Sequence, residues 1–335
     1  MKMPKISVLD LVRVSQGSTP AQALSDTLER AQRAERLGYT RYWIAEHHNI
    51  AGIASSATSI IIGRLAAGTS SIRVGSGGIM LPNHPSLVVA EQFGTLESLF
   101  PGRIDLGLGR APGTDQRTAM ALRRDSFAGD SFIEEVKEVR ALFEPVEPGQ
   151  AVQAIPGAGL RVPLWILGSS TYGAQVAAAL GLPYSFASHF APEMLFDAIQ
   201  LYRDRFQPSA QLDRPYVMVG VNVVASNSDQ EAQRQFTSLQ QAFLQILRNE
   251  RGLLPPPVDT TDLSCSSAER AQVNRMLACS LVGSEAVIRE GLRSLASQTG
   301  ADEVIAVSPM FDQAAGLRSL EILAEAAELS GPPCR

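Results

Sequence analysis

The chain has little cysteine for its length, and the few residues that it has are far apart. Its 335 residues include three cysteines, Cys265, Cys279 and Cys334. Their odd number and wide separation match neither the ligand spacing of a structural zinc site nor a disulfide framework. We therefore expect all three to take no part in function, and we expect a reducing, cytoplasmic location.

A strong charge of one sign and long apolar runs are also missing. The formal net charge is −5, so no excess of basic residues draws the protein to nucleic acid or anionic lipid. No apolar run reaches the roughly 18 residues that span a bilayer. The first five residues, MKMPK, lead into a predicted strand and lack the apolar core of a signal peptide. We expect neither a nucleic-acid partner nor a membrane partner.

The sequence is instead dominated by alternating strand-like and helix-like segments. Runs rich in β-branched and aromatic residues recur between stretches that carry apolar residues at helical spacing. The eight predicted strands are 6–14, 41–46, 72–79, 103–109, 163–167, 183–187, 216–224 and 303–307. Eight strands that alternate with helices predict one α/β domain over residues 1–335, a (β/α)8 TIM barrel rather than an open sheet.

Segment 252–284 interrupts this alternation before the last predicted strand. It holds three consecutive prolines at 255–257, a polar stretch, and a short predicted helix over 268–281. Extra sequence between barrel strands usually forms lids or binding loops, and long loops are uncommon in compact domains unless they are functional or mobile. The segment is either an inserted lid or a disordered excursion without a role.

Two of the four histidines stand together where the second predicted strand ends, in Glu46-His47-His48. Ligands collect at the C-terminal ends of parallel strands, and imidazole titrates near neutral pH, so this cluster is a candidate acid–base site. A metal site is disfavoured, because adjacent side chains of an extended chain point to opposite sides. The remaining histidines, His84 and His189, also lack a ligand spacing relative to this pair. A structural pair of hydrogen-bonded histidines is the alternative.

Glycines mark the ends of the third and fourth predicted strands. Gly77 and Gly78 predict either close approach of a ligand to the main chain or a tight barrel corner. In the fourth strand, Gly107 and Gly109 fall on one face and leave room for a flat group. Arg110 follows at the end of that strand, where a guanidinium can bind a phosphate.

A second candidate anion site follows the fifth predicted strand. The sequence Gly-Ser-Ser-Thr-Tyr-Gly at 168–173 opens a predicted helix, and N–H groups at a helix N-terminus bind anions. An ordinary N-cap is the alternative interpretation. Arg110 ends the preceding strand at the same end of the barrel, so this helix start and Arg110 together predict one phosphate site.

Taken together, these segments resemble the bacterial luciferase family of flavin-dependent monooxygenases, in its single-subunit, luciferase-like branch. The similar motifs lie at 43–48, 74–82, 84–85, 101–103, 181–183, 185–190, 282–284 and 318–320. They occur in a fixed order and span nearly the whole chain, which makes them more specific than any single motif.

The resemblance implies a barrel that binds FMN in its reduced form, FMNH2. By position, His47 would be the catalytic imidazole that assists flavin hydroperoxide chemistry, and His48 and Glu46 would support it. Gly77 and Gly78 occupy the place where the family has a non-prolyl cis peptide under the isoalloxazine ring.

The resemblance also assigns the phosphate site and the lid. Arg110 would hold the FMN phosphate together with Ser169, Ser170 and Gly173. Segment 252–284 occupies the position of the family's mobile lid. Gly109 stands where luciferase has a reactive cysteine, and Ser169 where luciferase has an acidic residue, so light emission is not expected.

These assignments predict a two-component monooxygenase that uses O2 to oxidise a small organic substrate. No Gly-X-Gly-X-X-Gly segment follows a strand, so a separate flavin reductase would supply FMNH2. The alternatives on the same fold are a deazaflavin-dependent oxidoreductase and a flavin-binding protein without catalysis. We expect no metal, and a homodimer that pairs through the small-residue helix at 55–67.

Overall fold

Eight parallel strands close into a barrel in the computed structural model, which describes residues 3–111, 113–122, 131–250 and 252–331. In chain order the strands of the whole sheet are β1 (Lys5–Asp10), β2 (Arg41–Ile44), β3 (Arg73–Met80), β4 (Ile104–Gly109), β5 (Leu164–Gly168), β6 (Tyr184–Phe186), β7 (Val217–Ala225), β8 (Ser280–Gly283) and β9 (Glu303–Val307). The ring runs from β1 through β6 to β7, then to β9 and back to β1. The predicted TIM barrel is confirmed.

Helices surround this ring. They are α1 (Pro20–Leu37), α2 (Thr58–Ala67), α3 (Ser86–Leu99), α4 (Gln116–Ala121), α5 (Phe132–Leu142), α6 (Thr171–Leu180), α7 (Leu195–Arg205), α8 (Asp229–Leu247), α9 (Ser267–Met276), α10 (Glu285–Thr299) and α11 (Gln313–Ala326). Their ends follow local chemistry: α1 begins with Pro20 after the Thr19 cap and ends at Gly38, whose φ is 86°. Among the described residues, no helix is long and apolar enough to cross a membrane.

The sequence prediction missed β8. The predicted helix over 268–281 ends early, at Met276, and the chain then returns to the sheet as β8. This strand pairs in parallel with Asn222–Ala225 of β7, of which only Asn222 also pairs with β9. It therefore lies outside the closed ring. A helix prediction fails here because the pairing partner is more than fifty residues away in sequence, where no local pattern can indicate it.

The inserted segment 252–284 is folded against α8. Leu263, Val273 and Leu277 pack with Leu239 and Phe243 of α8 in a small apolar cluster of their own. Helix α9 within the segment begins with a capping box formed by Ser266 and Glu269. This packing does not favour a disordered excursion. The movement of the segment as a lid stays a prediction. Cys265 lies at the edge of this cluster with a free thiol, Cys279 is also free, and Cys334 lies outside the described residues.

The bottom of the barrel interior is filled by charged side chains. Arg41 donates to Glu303 at 2.7 Å and to Asp105 at 2.7 Å, and all three side chains are buried. Arg73 adds a second cation, 2.6 Å from Asp105. Above this floor lies an aromatic and aliphatic layer in which Trp43 and Trp165 meet edge to face at 5.1 Å. The interior is thus closed at its N-terminal end.

Strands β3 and β4 approach each other so closely that one of them needs glycine. The Ser76 hydroxyl donates to the Gly107 carbonyl at 2.9 Å and accepts from the Gly107 N–H at 3.0 Å. A Cβ atom on Gly107 would collide with the Ser76 carbonyl oxygen and would lie 2.8 Å from Leu167 Cδ1. Strand β3 carries Gly77 and Gly78, and β4 leads directly into Arg110, so this contact fixes the site's backbone.

We expect Gly107→Ala to lower the free energy of unfolding by about 1–3 kcal/mol, because the methyl group overpacks a backbone contact. The matched control is Gly63→Ala in α2, where the added Cβ meets its nearest neighbour, Leu96 Cδ2, at an ordinary 3.4 Å. This control should be neutral or stabilising by up to about 1 kcal/mol. Chemical denaturation of the three proteins measures both values, and equal stability of the two variants would contradict the packing argument.

Candidate active site

A cavity of about 420 Å³ opens at the C-terminal end of the barrel strands. Its wall consists mostly of apolar side chains and glycine main chain. Its ionisable lining residues are Arg13, His47, Arg110, Tyr172 and His189. No Asp or Glu is among the described residues that line it. The cavity therefore combines apolar walls with positive charge.

Glycines make up much of the cavity wall in the top layer of the barrel. Gly77 and Gly78 of β3, Gly109 of β4, Gly168 of β5 and Gly220 of β7 all face it. A TIM barrel normally fills this level with bulky residues. Bare main chain leaves the space open, and the peptide bond between Gly77 and Gly78 is cis, as the resemblance implies.

The structure brings most of the sequence-predicted site residues to this one cavity. Its lining includes His47, Gly77, Gly78, Arg110, Ser169, Ser170 and Gly173. Glu46 and His48 are not part of the lining. The alternation of β2 explains the difference, since Trp43, Ala45 and His47 face inward in turn while Glu46 and His48 face the other side.

Glu46 is a buried hub behind the cavity. Its carboxylate accepts hydrogen bonds from His48 Nε2 at 2.8 Å, from His84 Nε2 at 2.9 Å and from the Met80 N–H at 3.0 Å. Burial alone would raise the pKa of Glu46, but these bonds outweigh it and the pKa is lowered. Glu46 is therefore an anion that ties the end of β2 to the end of β3 and so supports His47 from behind.

The sequence analysis did not predict that His84 contacts Glu46 and lies beside His48. One ligand atom from each of the three residues lies within 4.8 Å of the others, a spacing that a metal ion can use. In this structure the carboxylate instead accepts a hydrogen bond from each imidazole. The three groups satisfy one another, and the geometry carries no argument for an ion.

His47 faces the cavity as a neutral imidazole. Burial is the main cause that lowers its pKa, and the charge of Arg13 lowers it further. Its Nδ1 lies 3.4 Å from the Gly113 carbonyl oxygen. Because a carbonyl can only accept, this long contact favours a proton on Nδ1 and leaves Nε2 as the basic nitrogen.

The residues predicted to bind a phosphate meet at the start of α6. The Arg110 guanidinium stacks over the Tyr172 ring, 4.1 Å from its centroid. Ser170, the N-cap of α6, has extended backbone and makes no side-chain capping bond. Its hydroxyl, the Ser169 hydroxyl and the first N–H groups of α6 are thus placed beside a guanidinium, which is the donor set that a phosphate needs.

The cavity is roofed by residues that the sequence analysis did not single out. Leu239, Phe243 and Ile246 of α8 and Met276 of α9 line it from above. Met276 belongs to segment 252–284, so part of the predicted lid forms cavity wall. Periodicity could have shown that α8 is amphipathic, but not which surface its apolar face covers.

His189 is a further cavity residue that the sequence analysis assigned no role. It follows β6, stacks edge to face on Phe190 at 4.9 Å, and its buried Nδ1 has no hydrogen-bond partner. Burial is the main cause that lowers its pKa to about 3, and the positive charge of Arg13 lowers it further. His189 is therefore neutral throughout the physiological range.

A neutral histidine with a buried ring nitrogen makes the folded state sensitive to acid. The unfolded chain binds a proton at this residue below its ordinary pKa of about 6.5, whereas the folded chain takes it up only near pH 3, so stability is lost as pH falls between these values. Between pH 7.5 and pH 5 the loss from His189 is about 2 kcal/mol.

We expect His189→Gln to remove this part of the pH dependence, since glutamine does not titrate. Denaturation of wild type and variant at both pH values measures the difference in slope, which is independent of any constant packing change. Identical slopes for wild type and His189→Gln would contradict a neutral buried His189.

Comparison with known proteins places the chain in a family. The family model described as luciferase-like monooxygenase matches residues 3–303. A protein of Escherichia coli strain K12 named luciferase-like monooxygenase is 52% identical over 323 residues, which covers 96% of each chain. N-acetyl-S-alkylcysteine monooxygenase of Bacillus subtilis is 36% identical over 243 residues, covering 70% of this chain and 72% of that protein.

Solved structures agree on the fold. The crystal structure of apo-MsnO8 superimposes with a TM-score of 0.87 at 36% identity and covers 98% of this chain and 100% of its own. Two more distant structures share the fold at TM-scores of 0.71 and 0.65. The first is the oxygenating constituent of 3,6-diketocamphane monooxygenase from Pseudomonas putida in complex with FMN; it is 17% identical, and the match covers 98% of this chain and 99% of that one. The second is an F420-dependent secondary alcohol dehydrogenase; it is 16% identical, and the match covers 98% of this chain and 99% of that one. The chain belongs to the luciferase-like monooxygenase family.

Proposed function

We propose that this protein is an FMN-dependent monooxygenase that uses O2 to oxidise a small organic substrate, and that a separate reductase supplies the FMNH2. The observation that carries the proposal is the single cavity in which His47, bare glycine main chain and the Arg110 anion site meet. The name of the Bacillus subtilis relative supports a monooxygenase reaction on a small organic molecule.

The residues present fit FMN at its phosphate end. Arg110 and the start of α6 supply a guanidinium, two hydroxyls and backbone N–H groups within one stretch of the cavity wall. Tyr172 orients the guanidinium by stacking, and a guanidinium can donate two parallel hydrogen bonds to phosphate oxygens. The helix dipole adds a favourable partial charge at the same point.

The residues also fit the flat ring of a flavin. Glycines 77, 78 and 109 expose main chain on one side, and Leu9, Ile305 and Val307 offer apolar surface deeper in the barrel. A Cβ at Gly77 would lie 2.5 Å from Leu9 Cδ1, and one at Gly78 would lie 2.8 Å from the Gly107 carbonyl oxygen, so this wall requires glycine. A planar apolar group with polar edges can lie on such a wall and bond to backbone N–H and C=O groups.

When bound, FMNH2 supplies two electrons to O2, so that one oxygen atom is inserted into the substrate and the other leaves as water. His47 is suited to handle the accompanying proton at Nε2, because its Nδ1 faces the Gly113 carbonyl and its pKa is low. The roof of Leu239, Phe243 and Met276 keeps bulk water from this reaction space.

The test begins with cofactor binding. We expect wild-type protein to bind FMN or FMNH2 at micromolar concentration, and Arg110→Met to weaken this binding at least about 10-fold by removing a charge-assisted contact. Fluorescence titration of FMN measures both. Preference for a deazaflavin over FMN, or no flavin binding at all, would contradict the proposal.

The same experiment separates catalysis from binding. We expect His47→Gln to bind FMN within a few-fold of wild type and to lose about 10²–10⁴-fold in substrate oxidation, screened over a substrate panel with a generic flavin reductase. The matched control is His84→Gln, an imidazole that lies behind the cavity. Undiminished turnover in His47→Gln would remove His47 from the reaction, and absence of any turnover in wild type would favour a flavin-binding protein without catalysis.

We also propose a homodimer that pairs through α2 and α3. Ile60 of α2 is 74% exposed and Leu99 of α3 is 64% exposed, so both helices present apolar side chains to solvent. A twin subunit would cover them, and the small residues of α2 would allow close approach of the two backbones.

We expect sedimentation to give a particle of twice the 35.9 kDa chain mass. Ile60→Glu should shift the protein toward monomer, because it places a charge in the paired surface. Val287→Glu, at a 42% exposed valine of α10, is the matched control and should stay dimeric. A wild-type particle of single chain mass would refute the dimer.

A further inference from the structure

Arg13 is held in the cavity wall by the backbone that follows β1. Leu9, Leu11 and Arg13 face the cavity in alternation, while Val12 and Val14 between and after them are buried in the outer core. The Ala54 N–H donates to the Val12 carbonyl at 2.9 Å, and the Val14 N–H donates to the Gly52 carbonyl at 2.9 Å. This pairing fixes the direction of the Arg13 side chain.

The Arg13 guanidinium has no ion partner within the part of the chain that the structure describes. Its buried Nε makes no hydrogen bond. The carboxylate that attracts it, Asp10, already accepts from the Val12 N–H at 2.7 Å, from Thr27 Oγ1 at 2.9 Å and from the Tyr42 hydroxyl at 2.5 Å. Burial lowers the pKa of Arg13 to about 10, so the group is still a cation at neutral pH.

An unpaired cation in an apolar cavity is costly unless a ligand neutralises it. The other groups near Arg13 do not, because His47 and His189 are neutral and both feel its charge. Arg110 already serves the proposed phosphate site. It follows β4, whereas Arg13 follows β1, and two strands separate these in the ring. The cavity therefore offers a second anion site that the cofactor phosphate does not use.

We propose that Arg13 is a specificity-determining residue that binds a carboxylate on the organic substrate. A guanidinium presents two parallel N–H donors, which match the two oxygens of a carboxylate. The walls around it, including Leu11, Ile50 and Ile53, are apolar, so the rest of the substrate near Arg13 is expected to be aliphatic or aromatic. This inference rests on the proposed function, since it names the substrate class of that same cavity.

The experiment compares hexanoate with hexanamide, two probes of nearly equal shape of which only the first is charged. Calorimetric titration of the FMN-loaded protein should give at least 10-fold tighter binding of hexanoate. Arg13→Met should abolish this preference, and Arg13→Lys should keep part of it as a point charge without the fork. Arg30→Met is the matched control, because Arg30 lies near Arg13 but outside the cavity lining and bonds to Gln313 at 2.7 Å.

Stability distinguishes a binding role from a structural one. Arg13→Met removes an unpaired charge and should melt no lower than wild type, whereas a structural arginine would lower the melting temperature when lost. Hexanoate should raise the melting temperature of wild type and not that of Arg13→Met. If Arg13→Met does not fold, Arg13→Lys and Arg13→Gln replace it, provided that the two variants have equal stability. The charged lysine should then keep part of the preference for hexanoate, and the uncharged glutamine should lose it.

Three results would overturn the proposal. Equal binding of hexanoate and hexanamide by wild type would show that the cavity does not distinguish a charged ligand from an uncharged one. An unchanged preference in Arg13→Met would move the anion site elsewhere. A loss of FMNH2 affinity in Arg13→Met as large as the loss for hexanoate would assign Arg13 to the anionic reduced ring instead. Failure of wild type to bind FMN would contradict the proposed function alone, because hexanoate binding to the flavin-free protein still tests Arg13.

Discussion

The buried ion network at the barrel floor is the constraint on which the remaining structure depends. Arg41 joins Asp105 of β4 to Glu303 of β9, and Arg73 gives Asp105 its second cation. Two carboxylates and two guanidinium groups balance in charge, and each hydrogen bond crosses between strands. Losing one partner would leave an uncompensated buried charge, which costs about 3–5 kcal/mol. The network therefore fixes the register of β2, β3, β4 and β9 relative to one another and closes the N-terminal end of the barrel.

Above this floor of charged side chains lies a layer of apolar side chains, and above that layer lies the cavity. Trp43 and Trp165 cover Arg41, whose guanidinium lies 4.7 Å from the Trp165 ring centroid. One layer higher, glycines of β3, β4, β5 and β7 leave the space unfilled. Because the floor is closed and the top is open, a ligand can enter only at the C-terminal end of the strands, where His47 and Arg110 line the cavity. The cavity thus occupies the level that a layer of side chains normally fills in a TIM barrel.

The sequence predicts this site well where chemistry follows a strand directly. The sequence places the histidine pair and Arg110 at one rim because strand ends in a parallel barrel meet there, and the family resemblance, by position, selects His47 from the pair. Arg13 lies inside the first predicted strand, 6–14, but nothing in the local sequence singled it out. The strand ends earlier than predicted, at Asp10, and the inward alternation continues through a loop paired with residues 52–54. Burial of His189 and the pairing of β8 with β7 depend on contacts distant in sequence, which local patterns do not contain.

The electrostatics of the cavity link cofactor, substrate and base. Arg13 and Arg110 make the cavity positive, and no carboxylate among the described lining residues offsets them. The field of Arg13 is one cause of the low pKa of His47, so in the empty site the imidazole remains a proton acceptor. An anion paired with Arg13 cancels that field and thereby raises the pKa of His47 toward its ordinary value. A carboxylate substrate therefore changes the proton affinity of the imidazole beside which it binds, and substrate recognition and acid–base chemistry become parts of one electrostatic balance.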